Sequence, residues 1–167
     1  MRIEWDAPGS LARYGFTGFR RIAVLRNELA SIPAVRGVYA IQRTKVGEPD
    51  FVPAGTGGWF RGKDPNVAEA VLRANWVENA SVLYIGKAGD PGTSATLRRR
   101  LTQYLKFGAG KAVGHWGGRY IWQLADAQEL CVAWKSLPDG EPSVVETALI
   151  AAFSAHYGRR PFANLRK

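Results

Sequence analysis

Residues 81–107, SVLYIGKAGDPGTSATLRRRLTQYLKF, contain the features of a strand, a loop and a helix in that order. The apolar run 81–86 is typical of a buried strand, and the Gly-Asp-Pro-Gly sequence at 89–92 predicts the turn after it. Thr96 can then cap a helix over 97–107, which ends where glycines follow. This stretch therefore predicts a strand whose chain returns through a capped helix.

Outside this stretch, apolar periodicity predicts two further strands and three further helices. The strands cover 35–42 and 129–134, and the helices cover 22–29, 67–78 and 143–157. Residues 44–64 have the proline and glycine content of a loop, whereas 112–127 fit either a strand or a helix. With the first two strands paired as a hairpin, this order predicts an α+β fold, a small sheet with helices packed on it.

The charge of the chain points to a polyanionic partner. Its 167 residues are enough for one domain with a buried core, and 23 Lys and Arg against 14 Asp and Glu give a net charge of +9. Such an excess raises the local concentration of polyanions, so nucleic acid is the favoured partner class. A membrane surface is disfavoured because no long basic amphipathic helix stands out.

Several classes of protein are excluded by what the sequence lacks. No apolar run reaches about 18 residues, and the first residues lack the basic-then-apolar order of a signal peptide. Cys131 is the single cysteine, which excludes an internal disulfide and, with only His115 and His156 beside it, a cysteine-based zinc site. These features fit a reducing compartment, and we expect a cytoplasmic protein.

A sequence similar to a phosphate-binding loop runs from Gly57 to Lys63, but its context disfavours nucleotide binding. That motif needs Ser or Thr after the lysine to bind Mg²⁺, and Asp64 stands there. The preceding residues include Pro53, which is unsuited to a central strand. We therefore interpret the motif as part of a flexible surface loop and expect no small-molecule cofactor.

The helix over 97–107 carries one arginine at the edge of its apolar stripe. At about 100° per residue, the stripe consists of Leu97, Leu101, Tyr104 and Leu105. Arg98 and Arg99 point toward the sides and solvent, whereas Arg100 lies beside the stripe. A guanidinium in such a place needs an anionic partner, and its fork of donors suits a phosphate.

The helix over 143–157 carries a carboxylate in a comparable place. Its apolar face consists of Val145, Leu149, Ala152 and Phe153. Glu146 flanks this face, and Ser143 stands three residues before it, which is also the spacing of a helix capping box. Taken alone, this spacing favours a cap over a chemical role.

Taken together, these features resemble the ordered motifs of the GIY-YIG nuclease family. Two triplets lie in predicted strands, an arginine stands four residues before a tyrosine in the helix that follows, and an acid and an asparagine come later. In chain order the motif residues are Gly37, Val38, Tyr39, Tyr84, Ile85, Gly86, Lys87, Arg100, Tyr104, Glu146 and Asn164. Val38 replaces the family's usual isoleucine, and the resemblance spans residues 37–164.

The resemblance implies a fold and a reaction. The fold would be a three-stranded antiparallel sheet flanked by helices, and the reaction would be metal-dependent hydrolysis of DNA phosphodiester bonds. Glu146 would hold Mg²⁺ or Mn²⁺, together with waters and phosphate oxygens. Tyr39 would orient or deprotonate the attacking water, helped by a cation such as Lys87 or the metal because the free phenol has a pKa near 10.

The remaining motif residues would surround the phosphate. The resemblance implies that Arg100 holds the scissile phosphate, that Tyr84 and Tyr104 donate hydrogen bonds around it, and that Asn164 supports the geometry. His115 lies outside the family's motifs. For His115 a structural or surface position is favoured over a part in phosphate binding or proton transfer.

The distance between the two triplets departs from the family pattern. We expect a single domain over 1–167, with a nuclease core at about 35–165, an N-terminal extension at 1–34 and an insertion at about 43–80. Any specificity would come from the insertion, the extension or a partner protein. The oligomeric state, the choice between nicking and double-strand cleavage, and the biological role stay open.

Two other classes of function compete with the enzyme. One is a non-catalytic nucleic-acid-binding module on the same fold, in which Trp59, Trp76 and Trp116 could stack on bases, although core positions are commoner for tryptophan. The other is a protein-interaction domain whose charge is incidental. The joint presence of a tyrosine, an arginine and a glutamate at motif positions favours a nuclease, acting on DNA or alternatively on RNA.

Overall fold

A computed structural model of the chain describes residues 2–7 and 9–165. Within this part the fold is α+β, a four-stranded antiparallel sheet with five α-helices. The strands are β1 (Thr17–Arg21), β2 (Gly37–Gln42), β3 (Val82–Ala88) and β4 (Cys131–Ser136), in the spatial order β1-β4-β2-β3. The helices are α1 (Ser10–Arg13), α2 (Ile22–Leu25), α3 (Glu69–Asn75), α4 (Leu97–Gly108) and α5 (Pro142–Tyr157). None of these helices is long and apolar enough to cross a membrane.

The prediction of three strands is wrong, because β1 adds a fourth at the edge of the sheet. β1 pairs antiparallel with β4 from Thr17 opposite Trp134 to Arg21 opposite Cys131, and the register shifts at Phe19. Phe19 has a φ of 51°, a left-handed conformation that fits a bulge. The sequence Thr-Gly-Phe-Arg-Arg has no alternation of apolar and polar residues, so periodicity could not reveal it.

The central strand β2 has a buried residue at five of its six positions, Gly37 to Ile41. Tyr39 and Ile41 belong to a core layer on one face of the sheet, and Val38 and Ala40 belong to the layer on the other face. The side chains of β2 therefore alternate between the two layers, as they do in a strand buried on both faces. α4 packs into the first layer, and α5 packs into the second layer together with the N-terminal segment.

Most helix predictions are right in kind and wrong at one end. Thr96 caps α4 as predicted, accepting a hydrogen bond from the Arg99 backbone nitrogen at 3.2 Å. α3 is shorter than the predicted 67–78 at both ends, because the backbone is extended at Ala68 and at Trp76. Residues 112–127 contain the 3₁₀ helix Arg119–Gln123 and the first residue of a second, Ala127–Glu129, in place of either alternative.

Three other expectations about these elements change in detail. The helix expected over 22–29 becomes α2 and a separate 3₁₀ turn at Leu29–Ser31, and the strand expected over 129–134 lies two residues later as β4. In α5, Leu149 and Phe153 are buried and Val145 is half-buried, but Ala152 is exposed. The apolar face of α5 is therefore narrower than the pattern indicates.

The connection from β2 to β3 is held by two buried polar side chains, Arg43 and Gln123, and by backbone hydrogen bonds such as the one from the Val52 nitrogen to the Gln123 carbonyl oxygen at 2.8 Å. Gln123 is 2% exposed and donates from Nε2 to the carbonyl oxygens of Val52 and Val67 at 3.2 and 2.9 Å. Its Oε1 accepts from the Val67 backbone nitrogen at 2.9 Å.

The motif similar to a phosphate-binding loop lies within this connection, with neither a strand before it nor a helix directly after it. It is a loop, as predicted, but it is bound to α4 where a flexible loop was expected, because the buried Gly58 donates from its nitrogen to the Phe107 carbonyl oxygen at 2.8 Å.

Candidate functional site

Three motif tyrosines from different elements converge in the core. β2 and β3 place Tyr39 opposite Gly86 and Ile41 opposite Tyr84, so the two tyrosines share one face of the sheet. Tyr104 reaches the same place from α4. The ring centroids lie 6.0 Å apart for Tyr39 and Tyr84, 5.9 Å for Tyr84 and Tyr104, and 6.5 Å for Tyr39 and Tyr104.

The glycines of the two triplets are required by close packing. A Cβ at Gly86 would lie 2.4 Å from Cζ and 2.6 Å from the hydroxyl of Tyr39. A Cβ at Gly37 would lie 2.2 Å from the Lys135 carbonyl oxygen. Only glycine fits at either position, whereas Val38 packs in the opposite layer, away from the tyrosines.

His115 joins the tyrosine cluster, so of the two expected positions, structural or surface, it occupies the structural one. It is fully buried, and its Nδ1 lies 3.0 Å from the Gly117 carbonyl oxygen. A carbonyl only accepts, so Nδ1 carries the proton and Nε2 is left as an acceptor. The hydroxyl of Tyr39 lies 3.2 Å from Nε2 and therefore donates to it. The cue in the sequence was weak, a histidine between glycines in the segment 114–118.

Burial keeps all of these groups uncharged at neutral pH. It raises the pKa of Tyr39 and of Tyr104 well above the ordinary value, and it raises the pKa of Tyr84 as well. Burial lowers the pKa of His115 to about 3, and the positive charge of Arg100 is the second cause. The tyrosines are therefore hydrogen-bond donors, and the Tyr104 hydroxyl donates to the Gly118 carbonyl oxygen at 3.2 Å.

Arg100 is the cation of the cluster. Its charge opposes the rise in the pKa of Tyr39 and Tyr84 that burial causes, so it lies close to both. The side chain is half-buried at the edge of the apolar stripe of α4, as the helical spacing predicts. Among the described residues it forms no ion pair with a carboxylate.

Glu146 approaches the same cluster from α5. Burial is the main cause of the raised pKa of Tyr84, and the negative charge of Glu146 raises this pKa further. The capping box is not formed, because Glu141 is the N-cap of α5 and no side chain caps it. The spacing from Ser143 therefore does not account for Glu146.

Lys87 lies outside the tyrosine cluster. It is paired across the sheet with Val38, whose side chain packs in the opposite layer, and its ammonium forms an ion pair with Asp90. The Ser143 hydroxyl accepts from Lys87 Nζ at 2.6 Å and donates to Asp90 Oδ2 at 2.7 Å. Hydrogen bonds from Lys87 and Ser143 lower the pKa of Asp90 to about 2. This network joins the end of β3 to the start of α5, and the cation that acts on Tyr39 is Arg100.

Asn164 holds the free edge of β3. Its Oδ1 accepts from the Ile85 backbone nitrogen at 2.9 Å, and its Nδ2 donates to the Ile85 carbonyl oxygen at 2.8 Å. Next to it, the Ala163 nitrogen donates to the Leu83 carbonyl oxygen at 2.8 Å. The side chain thus takes the place of a neighbouring strand beside Tyr84.

Among the described residues, Glu146 is the carboxylate that approaches the cluster, and this limits which metal the site could hold. In the described part of the chain, no group of three or more His, Cys, Asp or Glu side chains is arranged to hold a metal ion. Mg²⁺ commonly takes one or two carboxylates and completes its shell with waters and phosphate oxygens. The donor set around Glu146 therefore fits a metal that arrives with a phosphate substrate, and it does not fit a structural zinc.

Comparison of the chain with models of protein families, with curated proteins and with solved structures finds no match. The resemblance to GIY-YIG nucleases therefore stays an expectation that rests on the motif residues and their arrangement.

Proposed function

We propose that the chain is a GIY-YIG endonuclease that hydrolyses DNA phosphodiester bonds with a divalent metal. The observation that carries the proposal is the convergence of Tyr39, Tyr84, Arg100, Tyr104 and Glu146 on one cluster, although they are spread over more than 100 residues of chain. A fold alone does not require a half-buried arginine and a carboxylate beside three tyrosines.

In this proposal Arg100 binds the scissile phosphate, because its guanidinium has no carboxylate partner among the described residues and offers a fork of donors. Tyr84, at the edge of the cluster, donates a hydrogen bond to the phosphate or the attacking water. Glu146 holds Mg²⁺ or Mn²⁺, which when bound would neutralise charge on the phosphate.

Tyr39 and His115 form the route for a proton. The water oxygen attacks phosphorus, the bond from phosphorus to the leaving oxygen breaks, and the leaving oxygen takes a proton from solvent. As the water loses its proton to the Tyr39 oxygen, the phenolic proton passes to His115 Nε2, so no buried phenolate forms. The negative phosphate beside Arg100 would stabilise the resulting imidazolium.

Plasmid nicking tests the proposal. Supercoiled DNA is incubated with wild type and with Glu146→Gln, in Mg²⁺, in Mn²⁺ and in EDTA. We expect metal-dependent nicking that falls at least about 100-fold in the variant, since a lost electrostatic contact to the transition state costs about 3 kcal/mol. Binding measured in EDTA should change little.

Glu141→Gln, an exposed carboxylate at the start of the same helix, is the matched control and should nick like wild type. Arg100→Lys should reduce both rate and affinity, whereas Arg99→Lys on the exposed side of α4 should not reduce the rate. Nicking by Glu146→Gln at the wild-type rate would show that the metal assignment is wrong.

The burial of Tyr39 and Tyr104 also favours a second candidate, a non-catalytic nucleic-acid-binding module. At 1% and 0% exposure these rings fill the core, and hydroxyls bonded to His115 and Gly118 need no chemical role. This reading predicts salt-dependent binding without cleavage of plasmid, branched DNA or RNA under any metal. Cleavage of RNA alone would keep the enzyme and change its substrate.

A further inference from the structure

Residues 56–63, here called the wing, form a tight turn that presents a tryptophan. Phe60 and Lys63 exchange backbone hydrogen bonds at 3.3 and 3.0 Å. Between them Arg61 and Gly62 have φ values of 51° and 72°, the left-handed pair that a two-residue hairpin turn of type I′ needs. Trp59 precedes this turn and is 57% exposed. It is the only large exposed aromatic side chain among residues 2–7 and 9–165.

The wing is fixed beside the candidate active site. The Gly58 nitrogen donates to the Phe107 carbonyl oxygen at 2.8 Å, and a Cβ at Gly58 would lie 2.0 Å from the Lys111 carbonyl oxygen. A Cβ at Gly114 would lie 3.5 Å from the Phe60 ring. Gly114 is the neighbour of His115, so the wing packs against the loop that carries the hydrogen-bond partner of Tyr39.

The surroundings of the wing are basic. The segment that packs against the wing, residues 106–119, contains no Asp or Glu and three basic residues, Lys106, Lys111 and Arg119. The wing adds the exposed Arg61 and Lys63. The nearest acid in sequence is Asp64, whose Oδ1 accepts from the backbone and side-chain nitrogens of Asn66 at 2.9 and 2.8 Å.

An exposed indole in a basic setting fits an unpaired nucleotide better than a closed duplex. A flat aromatic ring stacks on any base whose face is free, and lysine or arginine beside it binds the adjoining phosphates. In an intact duplex both faces of each base are already covered by neighbouring bases. The other aromatic side chains near the wing do not offer this, because Phe60 and Trp116 are half-buried.

We propose that the wing binds an unpaired segment of DNA next to the candidate nuclease site, with Trp59 stacked on a base and Arg61 and Lys63 on flanking phosphates. This would make the preferred substrate a duplex with a single-stranded branch, flap or gap. The proposal rests on the proposed function for what happens to that DNA. The binding itself does not depend on cleavage.

Binding in EDTA separates the wing from the chemistry. Wild type and Trp59→Ala are titrated with a duplex that has a single-stranded flap containing 2-aminopurine, and with the same duplex fully paired. We expect Trp59→Ala to bind the flap DNA about ten-fold more weakly and the paired duplex about equally. The quenching of 2-aminopurine by wild type should be lost in Trp59→Ala and partly kept in Trp59→Phe.

Val144→Ala is the matched control, because Val144 is a comparably exposed apolar side chain, 60% exposed, on α5. The proposal would be overturned if wild type and Trp59→Ala bound the flap DNA equally well, or if Trp59→Ala lost affinity equally for both DNAs. It would also be overturned if wild type bound no DNA. Tighter, Trp59-dependent binding of a single-stranded RNA flap would assign the wing to RNA instead. If wild type shows Trp59-dependent binding but cuts no DNA in Mg²⁺ or Mn²⁺, the proposed nuclease function is wrong and the proposed binding by the wing is supported.

Discussion

At the scale of the residue, the candidate site depends on groups that are kept uncharged inside the protein. His115 is fully buried, and burial lowers its pKa from the ordinary 6.5 to about 3. Its neutral ring can then accept the hydrogen bond of Tyr39 over the whole physiological range. The same burial makes the folded state sensitive to acid.

We expect the stability to fall with acid because of His115. Between about pH 6.5 and 3 the unfolded chain binds a proton at this residue and the folded chain does not, so stability is complete above about pH 6.5 and falls by up to about 1.4 kcal/mol per unit below it. Urea unfolding of wild type and His115→Asn at pH 7 and pH 4.5 measures this. The variant should be less stable at pH 7 but lose less on acidification, and equal losses would place the responsible group elsewhere.

The lack of a side chain at Gly86 leaves the space that the ring of Tyr39 occupies. We expect Gly86→Ala to destabilise the fold by about 1–3 kcal/mol and to separate Tyr39 from His115, because a buried ring cannot yield to a new methyl group. Gly114→Ala is the control, since its Cβ would meet Phe60 at an ordinary 3.5 Å. Thermal unfolding compares the two variants, and equal stability of Gly86→Ala and wild type would contradict the packing argument.

At the scale of the element, short polar contacts hold segments that have no regular structure. Asn164 completes the edge of β3, Lys87 and Asp90 join β3 to α5, and Gln123 holds the connection between β2 and β3. Each pairs with backbone or charged groups that would otherwise be unsatisfied. These contacts place the motif side chains and the wing relative to the sheet.

The contact at Gln123 can be tested by a nearly isosteric change. Gln123→Leu keeps the volume but leaves the nitrogen and carbonyl of Val67 unpaired, so we expect a loss of about 2–4 kcal/mol. Hydrogen exchange should accelerate first at residues 52–67. Gln103→Leu, at a half-buried position on α4, is the control. Unchanged exchange at 52–67 would mean that packing and backbone hydrogen bonds hold this connection without the Gln123 side chain.

At the scale of the whole molecule, the sheet separates two core layers that share one set of strands. The second layer includes Trp5, Leu11 and Phe16 from the N-terminal segment, and Trp5 packs edge-on to Phe153 of α5 at 5.2 Å. β1, from the same segment, completes the sheet beside β4. Both layers therefore contribute to the stability of the candidate site, because its tyrosines lie in the first layer and Glu146 lies on α5, which packs in the second.

We expect Trp5→Ala to destabilise the whole molecule by about 3–5 kcal/mol, as removal of a buried tryptophan does. Unfolding should stay a single transition, and hydrogen exchange of β2 and β3 should accelerate with that of α5. Val46→Ala, at an exposed position in the loop after β2, serves as the control. A separate early transition confined to the N-terminal segment would show that it is an independent unit.

Local sequence was sufficient for the elements with strong periodicity and for the order of the motif residues. Helix α4 with its Thr96 cap, the burial of Leu97, Leu101, Tyr104 and Leu105, and the alternation of β2 follow from residues close together in the chain. The position of Arg100 at the edge of a buried stripe follows from helical geometry in the same way. Such features depend on neighbours within one or two turns, which the sequence specifies directly.

Only the tertiary structure decided the features that depend on distant partners. β1 is a strand because β4 offers it a free edge, and His115 is buried because α4 and two tyrosines enclose it. Lys87 is paired with Asp90, which leaves Arg100 as the cation near Tyr39, and Trp59 is exposed whereas Trp76 packs on the core. Pairing, burial and exposure are set by which remote segments meet, and no local pattern encodes that choice.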